Sequence, residues 1–566
     1  MRTSLWNSFL LLVIAAALLP AQQSAHEVRA VWLSTASGDW PASAQPDEQR
    51  RSLTAIFDDL HRLNFNTVFF QVRPRGNTYY RSDIEPWAAQ LSGALGRDPG
   101  WDPLAFAVEA AHARGMELHA WFNVAKVWGL DVPPTHPKHL FRTHREWLKK
   151  YDGEWWVDLG IPAARTYTAD LVMELAGRYD VDGIHFDFIR YPGPDFDDGG
   201  SFRRWSDGMS RDEWRRSNVT AFVRETVRRL RAAAPWVKIG SAPVGIHQAT
   251  AGARSSFNGY GHVFQDSRAW LRDGLHDYLA PQIYWSVGEQ PEPYDPDFES
   301  LCTDWTANAY GRHVYPGIGL YRDHVRSEME RQAEVVRESG AAGMAFFRYA
   351  QVRDAAAEFA RLFDAPALVP PMRWRDSIPP LPPSGVQVNR PDGGAVIVRW
   401  NAPAPAADGE PVARYAVYRV TGSERRLAAV LPATSTLFMD ERSGGGTPVR
   451  YVVTSLDRAW NESEEEKGEK AVEGVLRPYA VPSVVVSQNY PEPFGESTFF
   501  TVSLRTAALV TVIVLSSSGA DSVVLREQKR PGIHIVEVKA GTLPSGTAEC
   551  LISAGGVTVR RAITRR

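Results

Sequence analysis

The chain has 566 residues, so at ~100 to 200 residues per domain it should hold several domains rather than one core. Its 44% hydrophobic and 23% charged residues exclude a disordered, collagen-like or multi-span membrane protein. With 63 Lys and Arg against 66 Asp and Glu, the formal net charge of -3 provides no basic field for a polyanion, which disfavours nucleic acid as the main partner.

The first segment, residues 1–25, predicts export. One basic residue, Arg2, precedes an apolar run from Phe9 to Leu19, and small residues follow that run. This is the composition of a secretory signal peptide. The apolar run is too short for a membrane span of ~20 residues, and no cysteine follows it to accept a lipid. We therefore expect cleavage of the segment and a secreted or cell-surface protein.

Residues 26–365 alternate short apolar runs with helical stretches, as repeated β-α units do. Eight units in this length predict an α/β fold, a (β/α)8 TIM barrel. A doubly wound sheet is the alternative, but no GxGxxG motif follows the first run. Asp102 and Pro103 predict the cap and first residue of one helix, and Gly115 predicts its end. The predicted strands are 28–33, 67–72, 117–122, 183–188, 237–242, 277–284, 313–318 and 343–348.

Two segments follow the barrel. Residues 366–383 contain three Pro-Pro pairs and predict a stiff linker. Residues 384–474 show short alternating strands, with Trp400 in an early strand and Tyr415 and Tyr451 in later ones. This pattern resembles a fibronectin type III sandwich, in which those rings pack between two sheets. Such modules space or bind, so catalysis is expected in the barrel.

The last domain, residues 482–566, resembles the C-terminal sorting domain of the type IX secretion system. The resemblance lies in the opening Gln-Asn-Tyr-Pro-Glu-Pro-Phe at 488–494, an apolar strand at 510–515 and a basic end. The aromatic residue usual after the Ser-Gly at 545–546 is missing, since Thr547 stands there. A purely structural β-sandwich is the alternative. The resemblance implies a secretion machinery as partner; without it, the periplasm is the expected location.

In a TIM barrel the loops after the strands build the active site, so polar residues at the strand ends are the candidates. The fourth predicted strand ends in His185-Phe-Asp187, and its alternation puts both polar residues on one face. A carboxylate there is unfavourable unless it has a partner or a task. Asp187 is therefore the predicted catalytic residue, with an ion pair to Arg190 or Arg73 as the structural alternative. His185 either supports the site or is a core histidine.

Other strand ends carry the groups that bind sugars. Aromatic rings stack on the C–H faces of a sugar, while polar side chains bind its hydroxyls. Fifteen of the 19 tryptophans fall between Trp32 and Trp305, within the predicted barrel. Phosphate would instead require a Gly-rich cradle, which the sequence lacks. The predicted substrate-binding residues are Gln71, Arg73, Arg75, Trp121, Asn123, His185, Arg190, Tyr191, Gln282, Tyr284 and Trp285.

Several barrel segments together resemble the glycosyl-hydrolase-like family 10, once called a domain of unknown function. They include Arg29-Ala-Val-Trp32, Phe70-Gln-Val-Arg-Pro-Arg-Gly76, His119-Ala-Trp-Phe-Asn123, Asp182-Gly-Ile-His-Phe-Asp187 and Pro281-Gln-Ile-Tyr-Trp285. The resemblance implies a glycoside hydrolase fold, often exported in bacteria, with some members linked to the glycan strands of peptidoglycan. Family members often carry a second Asp after the residue that matches Asp187, and Phe188 stands there in this chain.

Hydrolysis of a glycoside normally needs two carboxyl groups, and only Asp187 is evident, as nucleophile or base. The first candidate for the proton donor is Glu85, because its neighbours Pro86 and Trp87 are the apolar surroundings that raise a carboxyl pKa. A substrate-assisted route, with an N-acetyl group as nucleophile, needs fewer acids and fits an amino-sugar polymer. The further donor candidates are Asp158, Asp266 and Asp39 in that order, of which the first two could instead cap helices.

No metal or cofactor is predicted, because the sequence has no HExxH and no His-x-His in the first strand. Nucleophilic serine catalysis is disfavoured, because no GxSxG turn occurs. The two cysteines, Cys302 and Cys550, lack the neighbours of a metal or redox site and are expected to be free thiols. The preferred function is a secreted glycoside hydrolase acting on a bacterial polysaccharide, with peptidoglycan glycan strands favoured. The alternative is a surface glycan-binding protein on a barrel that has lost catalysis.

Overall fold

The computed structural model of the chain describes most of the protein outside the predicted signal peptide, which lies outside the described residues. No helix in these ranges combines the length and the apolar character needed to cross a membrane. Cys302 and Cys550 are both buried, free thiols. The described residues are 26–250, 257–288, 290, 295–389, 396–440, 449–465, 484–487, 489–490, 492–504, 506–515, 522–543, 545–554 and 557–566.

The first domain is built on a parallel sheet that closes on itself. Its hydrogen-bonded neighbours run in the order β9, β8, β7, β3, β2, β1, β12, with β10 beyond β9 and β11 beyond β12. The strands are β1 (Val28–Leu33), β2 (Thr67–Arg73), β3 (Glu117–Asn123), β4 (Lys126–Trp128), β5 (Leu148–Tyr151), β6 (Glu154–Val157), β7 (Gly183–Asp187), β8 (Lys238–Ser241), β9 (Tyr278–Leu279), β10 (His313–Val314), β11 (Gly317–Gly319) and β12 (Gly343–Phe347).

One strand of the barrel is broken, and its two halves join the ends of the sheet. Between β10 and β11 lie Tyr315 and Pro316, and Pro316 has no N–H to donate to a neighbouring strand. The N–H groups of Tyr315 and Gly317 donate to the carbonyls of Leu279 and Pro281, each at 2.8 Å, so this segment bonds to β9 as well as to β12. The eight predicted strands are thus present, and the TIM-barrel-like fold is confirmed.

Helices surround the barrel and begin at recognisable caps. At the start of α3, Asp102 accepts hydrogen bonds from the N–H groups of Leu104 and Ala105, and Pro103 is the first helical residue, as predicted. The helices are α1 (Pro46–Arg62), α2 (Ala89–Ser92), α3 (Pro103–His112), α4 (Leu140–Thr143), α5 (Pro162–Arg178), α6 (Gly199–Trp205), α7 (Arg211–Ala233), α8 (Ser267–Arg272), α9 (Phe298–Ala307), α10 (Asp323–Ser327), α11 (Met329–Glu338), α12 (Tyr349–Asp354) and α13 (Ala356–Leu362).

The loop after β3 carries a small sheet of its own. Strands β4, β6 and β5 pair in that order, all antiparallel, between the carboxyl end of β3 and helix α5. Because β4 begins only three residues after Asn123, this sheet lies beside the carboxyl ends of the barrel strands. That end of the barrel, called the mouth below, is where active sites form in this fold.

The second domain is a sandwich of two three-stranded sheets. One sheet has the order β13, β14, β17 and the other β16, β15, β18. Trp400 and Tyr415 pack edge to face between them, with ring centroids 5.3 Å apart. The strands are β13 (Ser384–Asn389), β14 (Val396–Asn401), β15 (Arg414–Thr421), β16 (Glu424–Pro432), β17 (Leu437–Asp440) and β18 (Arg450–Leu456).

The proline-rich segment between the two domains is packed. It forms no helix or strand, but Leu368, Val369 and Met372 are buried in a cluster that includes Trp32 of the barrel interior and Trp460 of the second domain. It therefore joins the two domains instead of spacing them apart, because its apolar side chains face both.

The third domain is a sandwich of a three-stranded sheet, in the order β19, β20, β23, and a four-stranded sheet, in the order β22, β21, β24, β25. It packs against α3 through Phe499 and Phe106, whose ring centroids are 5.8 Å apart. The strands are β19 (Val484–Val486), β20 (Ser497–Leu504), β21 (Ala508–Leu515), β22 (Ser522–Lys529), β23 (Gly532–Lys539), β24 (Gly546–Ala554) and β25 (Val557–Arg565).

Candidate active site

Asp187 is the last residue of β7, at the mouth, and it is the register partner of Asn123 at the end of β3. Only 6% of Asp187 is exposed. Its Oδ1 accepts hydrogen bonds from the N–H of Phe188 at 2.7 Å and from Nε2 of Gln282 at 3.3 Å. Both of these hydrogen bonds reach Oδ1, and the indole N–H of Trp121 also interacts with the carboxyl.

The electrostatics around Asp187 favour its protonated form. Burial raises the pKa of its carboxyl above the ordinary value, while Arg190, the Phe188 N–H and Lys126 oppose that rise. Lys126 is itself paired with Glu154 at 2.5 Å, which limits its effect on Asp187. Asp187 is therefore a carboxyl that holds its proton more tightly than an exposed aspartate.

A buried amide oxygen next to Asp187 lacks a partner. Oδ1 of Asn123 accepts no hydrogen bond among the described residues, whereas the neighbouring Trp121 indole interacts with the Asp187 carboxyl and lowers its pKa. The amide nitrogen of Asn123 is engaged, since it donates to the carbonyl of Pro74 at 2.9 Å. A buried amide oxygen without a partner is rare in folded proteins. It supplies an acceptor for a bound molecule.

An aromatic wall stands at the same mouth. Tyr284 follows the sixth barrel strand, and its ring centroid is 5.7 Å from Phe347 and 5.8 Å from Tyr321. Phe347 also contacts Trp121, with centroids 6.5 Å apart. Tyr321 is 48% exposed, so the wall is accessible from solvent. Rings in this arrangement offer flat apolar faces to a sugar.

The structure places His185 in the barrel core, away from the substrate-binding position predicted for it. His185 is fully buried, stacks on Phe69 with centroids 3.9 Å apart, and accepts from Nε1 of Trp32 at 3.0 Å. Its other ring nitrogen bonds the hydroxyl of Tyr278 at 3.1 Å. Alternation along β7 does put His185 on the inner face with Asp187, but two residues below the mouth the barrel is filled with side chains.

Glu85, the first candidate for the proton donor, is instead the partner of Arg73. The two side chains form a two-pronged ion pair, with Nε at 2.8 Å and Nη2 at 2.6 Å from the carboxylate oxygens, and neither side chain is exposed. Arg73 also donates to the carbonyl of Asn123 at 2.5 Å. The pair anchors the loops after β2 and β3, and it leaves Glu85 without access to a substrate.

Asp158 and Tyr191 lie in a second buried polar cluster. Asp158 is 1% exposed and accepts from Ser201 at 2.5 Å and from the N–H of Gly160 at 2.9 Å. Burial raises its pKa to about 6, against the lowering effect of those two hydrogen bonds. Tyr191 is 1% exposed, and its hydroxyl accepts from Nδ2 of Asn218 at 3.2 Å. Neither residue has the accessibility that substrate contact requires.

The remaining predicted residues divide between loop anchors and the mouth. The side chain of Gln71 accepts hydrogen bonds from the N–H groups of Thr35 and Ala36. The carboxylate of Asp39 accepts a hydrogen bond from the N–H of Ser34 and forms an ion pair with Arg348. Asp266 caps α8. Arg75 pairs with Glu154 at 2.8 Å, and the half-buried Trp285 lies in the loop after the sixth strand. Lys126, Glu154, Tyr321 and Phe347 at the mouth were not predicted.

No second carboxyl group contacts Asp187 among the described residues. The carboxylate of Glu154 is linked to Asp187 through Lys126, which pairs with Glu154 and interacts with Asp187. The cluster of metal-ligating groups that the described ranges contain, formed by Asp376, Asp408 and Glu410, involves the linker and the second domain and not the mouth. The described part of the site thus offers the carboxyl of Asp187, the paired carboxylate of Glu154, amide groups, cations and aromatic faces.

Comparison with known proteins identifies related sequences. A family model described as Glycosyl hydrolase-like 10 matches residues 27–336. The chain is 31% identical over 492 residues to the glycosyl hydrolase YngK of Bacillus subtilis (strain 168), covering 80% of this chain and 95% of that protein. It is also 31% identical over 341 residues to the glycosyl hydrolase DigH of Escherichia coli (strain K12), covering 55% of this chain and 76% of that protein.

Among solved structures, the α-L-fucosidase isoenzyme 2 of Paenibacillus thiaminolyticus matches 91% of this chain and 99% of its own, with a TM-score of 0.41 and 13% identity. The endo-β-1,4-mannanase of Thermotoga petrophila matches 96% of this chain and 99% of its own, with a TM-score of 0.36 and 10% identity.

Proposed function

Because the chain belongs to the glycosyl hydrolase-like 10 family, we propose that it is a glycoside hydrolase that cleaves O-glycosidic bonds in a bacterial polysaccharide, with Asp187 as its reacting carboxyl. The observation that carries this proposal is the environment of Asp187. A buried carboxyl with a raised pKa lies at the functional end of the barrel, beside a buried oxygen of Asn123 that has no partner among the described residues.

We assign Asp187 the role of proton donor, in place of the nucleophile or base expected from the sequence. A carboxyl whose pKa is raised by burial suits proton transfer to the leaving oxygen. The absence of a second carboxyl near it among the described residues supports a substrate-assisted route. In that route an N-acetyl group on the substrate replaces the protein nucleophile.

The bonds change in two steps. The acetamido oxygen forms a bond to the anomeric carbon while the glycosidic C–O bond breaks, and Asp187 gives its proton to the leaving oxygen. Water then attacks the anomeric carbon, the acetamido group is restored, and the Asp187 carboxylate takes a proton from that water. The free acceptor Oδ1 of Asn123 is suited to bind the acetamido N–H and so to direct the acetamido oxygen.

The favoured substrate is the glycan strand of peptidoglycan, as the family resemblance implies. This polymer consists of N-acetylated amino sugars, which the substrate-assisted route requires. The aromatic wall of Tyr284, Phe347 and Tyr321 provides stacking faces for such sugars. No nucleic acid, metal or cofactor enters this proposal.

We also propose that the protein is exported and acts outside the cytoplasm. The signal-like residues 1–25 support export. The two sheets of the second domain, with Trp400 and Tyr415 between them, are consistent with a fibronectin type III module. We propose that the third domain is the sorting signal that the type IX secretion machinery recognises.

A second candidate, a surface glycan-binding protein without catalysis, is favoured by the lack of a second carboxyl beside Asp187 in the part of the chain that the structure describes. One experiment separates the two. Peptide-free peptidoglycan strands and chitin oligosaccharides are incubated with the mature protein in water labelled with oxygen-18, and the products are analysed by mass spectrometry and proton NMR.

Substrate-assisted hydrolysis predicts products that carry the label at a new reducing end, formed with retention of the anomeric configuration. Inversion of the anomeric configuration would contradict the substrate-assisted route but would still show that the protein is a hydrolase. Binding of either glycan without any labelled product would contradict the hydrolase and support the binding protein.

A further inference from the structure

Arg190 is a cation without an ion-pair partner beside the candidate catalytic residue. It is half-buried in the loop that follows β7, three residues beyond Asp187. Among the described residues its guanidinium has no ion pair and no hydrogen bond, and its recorded contact is with the ring of Phe188, 5.2 Å from the ring centroid. Burial lowers the pKa of Arg190, and the charge of Asp187 opposes that effect without forming an ion pair.

The fully buried arginines of the barrel differ from Arg190 in this respect. Arg29 pairs with Glu27 at 2.8 Å, Arg73 with Glu85 at 2.6 Å and Arg215 with Asp198 at 2.7 Å. Taking a charge out of water is unfavourable unless a partner compensates it. The fold gives each of those three arginines a hydrogen-bonded carboxylate, whereas Arg190 has only the more distant charge of Asp187. The missing hydrogen-bonded partner of Arg190 points to a carboxylate that arrives with a ligand.

The charges at the mouth leave the same imbalance. Lys126 Nζ lies 4.6 Å and Arg190 Cζ lies 5.2 Å from the ring centroid of Phe188. This ring carries no charge that could compensate the two cations. Lys126 and Arg75 share the single carboxylate of Glu154. Among the described residues around Phe188, three cations, Lys126, Arg75 and Arg190, thus face two carboxyl groups, Glu154 and Asp187, and the excess of positive charge in this set grows when Asp187 is protonated.

We propose that Arg190 binds a carboxylate carried by the substrate sugar at the cleaved bond, so that the enzyme selects acidic glycans. A guanidinium fork matches a carboxylate in two hydrogen bonds, which gives selectivity over a neutral hydroxyl. The carboxylate comes either from a lactyl ether on an amino sugar or from a uronic acid. This inference rests on the proposed function for the position of the glycan but not on turnover.

Binding of oligosaccharides tests the proposal in the full-length mature chain carrying Asp187→Asn, which prevents turnover. The probes are a peptide-free muramic acid tetrasaccharide and a β-linked uronate tetrasaccharide, each compared with the same molecule after chemical reduction of its carboxyl groups to alcohols. Kd is measured by titration calorimetry, and the melting temperature of each variant checks that it is folded.

Reduction of the carboxyl groups is expected to weaken binding of the matching acidic probe about tenfold, the effect of one charge-assisted contact. Addition of Arg190→Gln is expected to abolish that difference, and Arg190→Lys to restore part of it. Arg312→Gln is the matched control, because Arg312 also lies over a ring, that of Trp374 at 4.8 Å, but adjoins β10 at the opposite end of the barrel. It should leave the difference unchanged.

Equal affinity for acidic and reduced probes, or equal weakening of both by Arg190→Gln, would overturn the proposal, as would failure of every probe to bind. The acidic probe whose binding weakens when its carboxyl groups are reduced identifies the source of the carboxylate, either the lactyl ether or the uronic acid. If the wild-type protein cleaves acidic and reduced glycans at the same rate, the hydrolase stands and Arg190 has no such role. If acid-selective binding occurs without cleavage, the proposed role of Arg190 is supported and the proposed hydrolase activity is contradicted.

Discussion

Trp460 of the second domain donates its indole N–H to Oε1 of Glu117, the first residue of β3, at 2.5 Å. Glu117 also pairs with Lys238 and with His119, and these partners hold its pKa below the ordinary value although burial opposes this. His119 in turn bonds the hydroxyl of Tyr278 at 2.7 Å. The second domain therefore closes the floor of the barrel and completes a polar network inside it.

We expect Trp460→Ala to lower the free energy of unfolding by about 3–5 kcal/mol, because it removes a buried ring and leaves Glu117 short of a donor. Trp460→Phe should lose about 1–3 kcal/mol, since the ring remains and only the donor is lost. Urea unfolding measures both. Trp236→Ala is the control, because Trp236 is 41% exposed, and an equally large effect there would remove the argument for a specific floor contact.

Glu85→Gln should destabilise the protein by about 3–5 kcal/mol, because it leaves the charge of Arg73 buried without a partner. Replacing both residues, as Arg73→Met with Glu85→Leu, should recover most of that loss. Turnover per folded molecule, measured below the melting temperature, is expected to stay within a few fold of the wild type. A loss of turnover in a folded Glu85→Gln protein would instead restore Glu85 as a proton donor.

Asp158 makes stability depend on pH. Its folded pKa of about 6 exceeds the ordinary value of 3.8, so the folded state binds the proton more tightly, and stability falls as pH rises from about 4 through 6. Asp158→Asn removes this loss and should raise the free energy of unfolding at pH 7 by about 2–3 kcal/mol, with little change at pH 4.

Urea unfolding at the two pH values measures the effect, with the exposed Asp131→Asn as control. An equal change in stability at both pH values would contradict the assignment. Unchanged turnover in Asp158→Asn would also remove Asp158 from the candidates for the proton donor.

The proposed donor role of Asp187 predicts the direction of a pH profile. Because the proton donor must be protonated, kcat/KM should fall as pH rises through the raised pKa of Asp187. Lys126→Met removes a cation that lowers this pKa, so the fall should move to higher pH. Lys150→Met, on the exposed side of β5, should leave the profile in place. A shift to lower pH in Lys126→Met would contradict the donor role.

Much of the fold could be predicted because its signals are local. Apolar runs located all eight barrel strands, and Asp102 with Pro103 located the start of α3. The position of Asp187 at the end of a buried strand was predicted by the same logic, and its catalytic role stays a prediction. The packing of the proline-rich segment was not visible, because burial of Leu368 depends on two other domains.

The rest of the site depended on partners distant in sequence. Apolar neighbours suggested a raised pKa for Glu85, but Arg73 compensates its charge from another strand end. Lys126 and Glu154 meet only when the small sheet after β3 forms. Phe347 was included in a predicted strand, yet nothing in its local pattern indicated that it would line the mouth.

The central claim is that Asp187 is the reacting carboxyl of a hydrolase. Its most direct measurement is the release of reducing ends from peptide-free peptidoglycan strands by the wild-type protein and by Asp187→Asn, with glycan binding measured in parallel. We predict release by the wild type, a loss of at least about a hundredfold in the variant and retained binding. Equal release by both proteins, or binding without release by either, would contradict the claim.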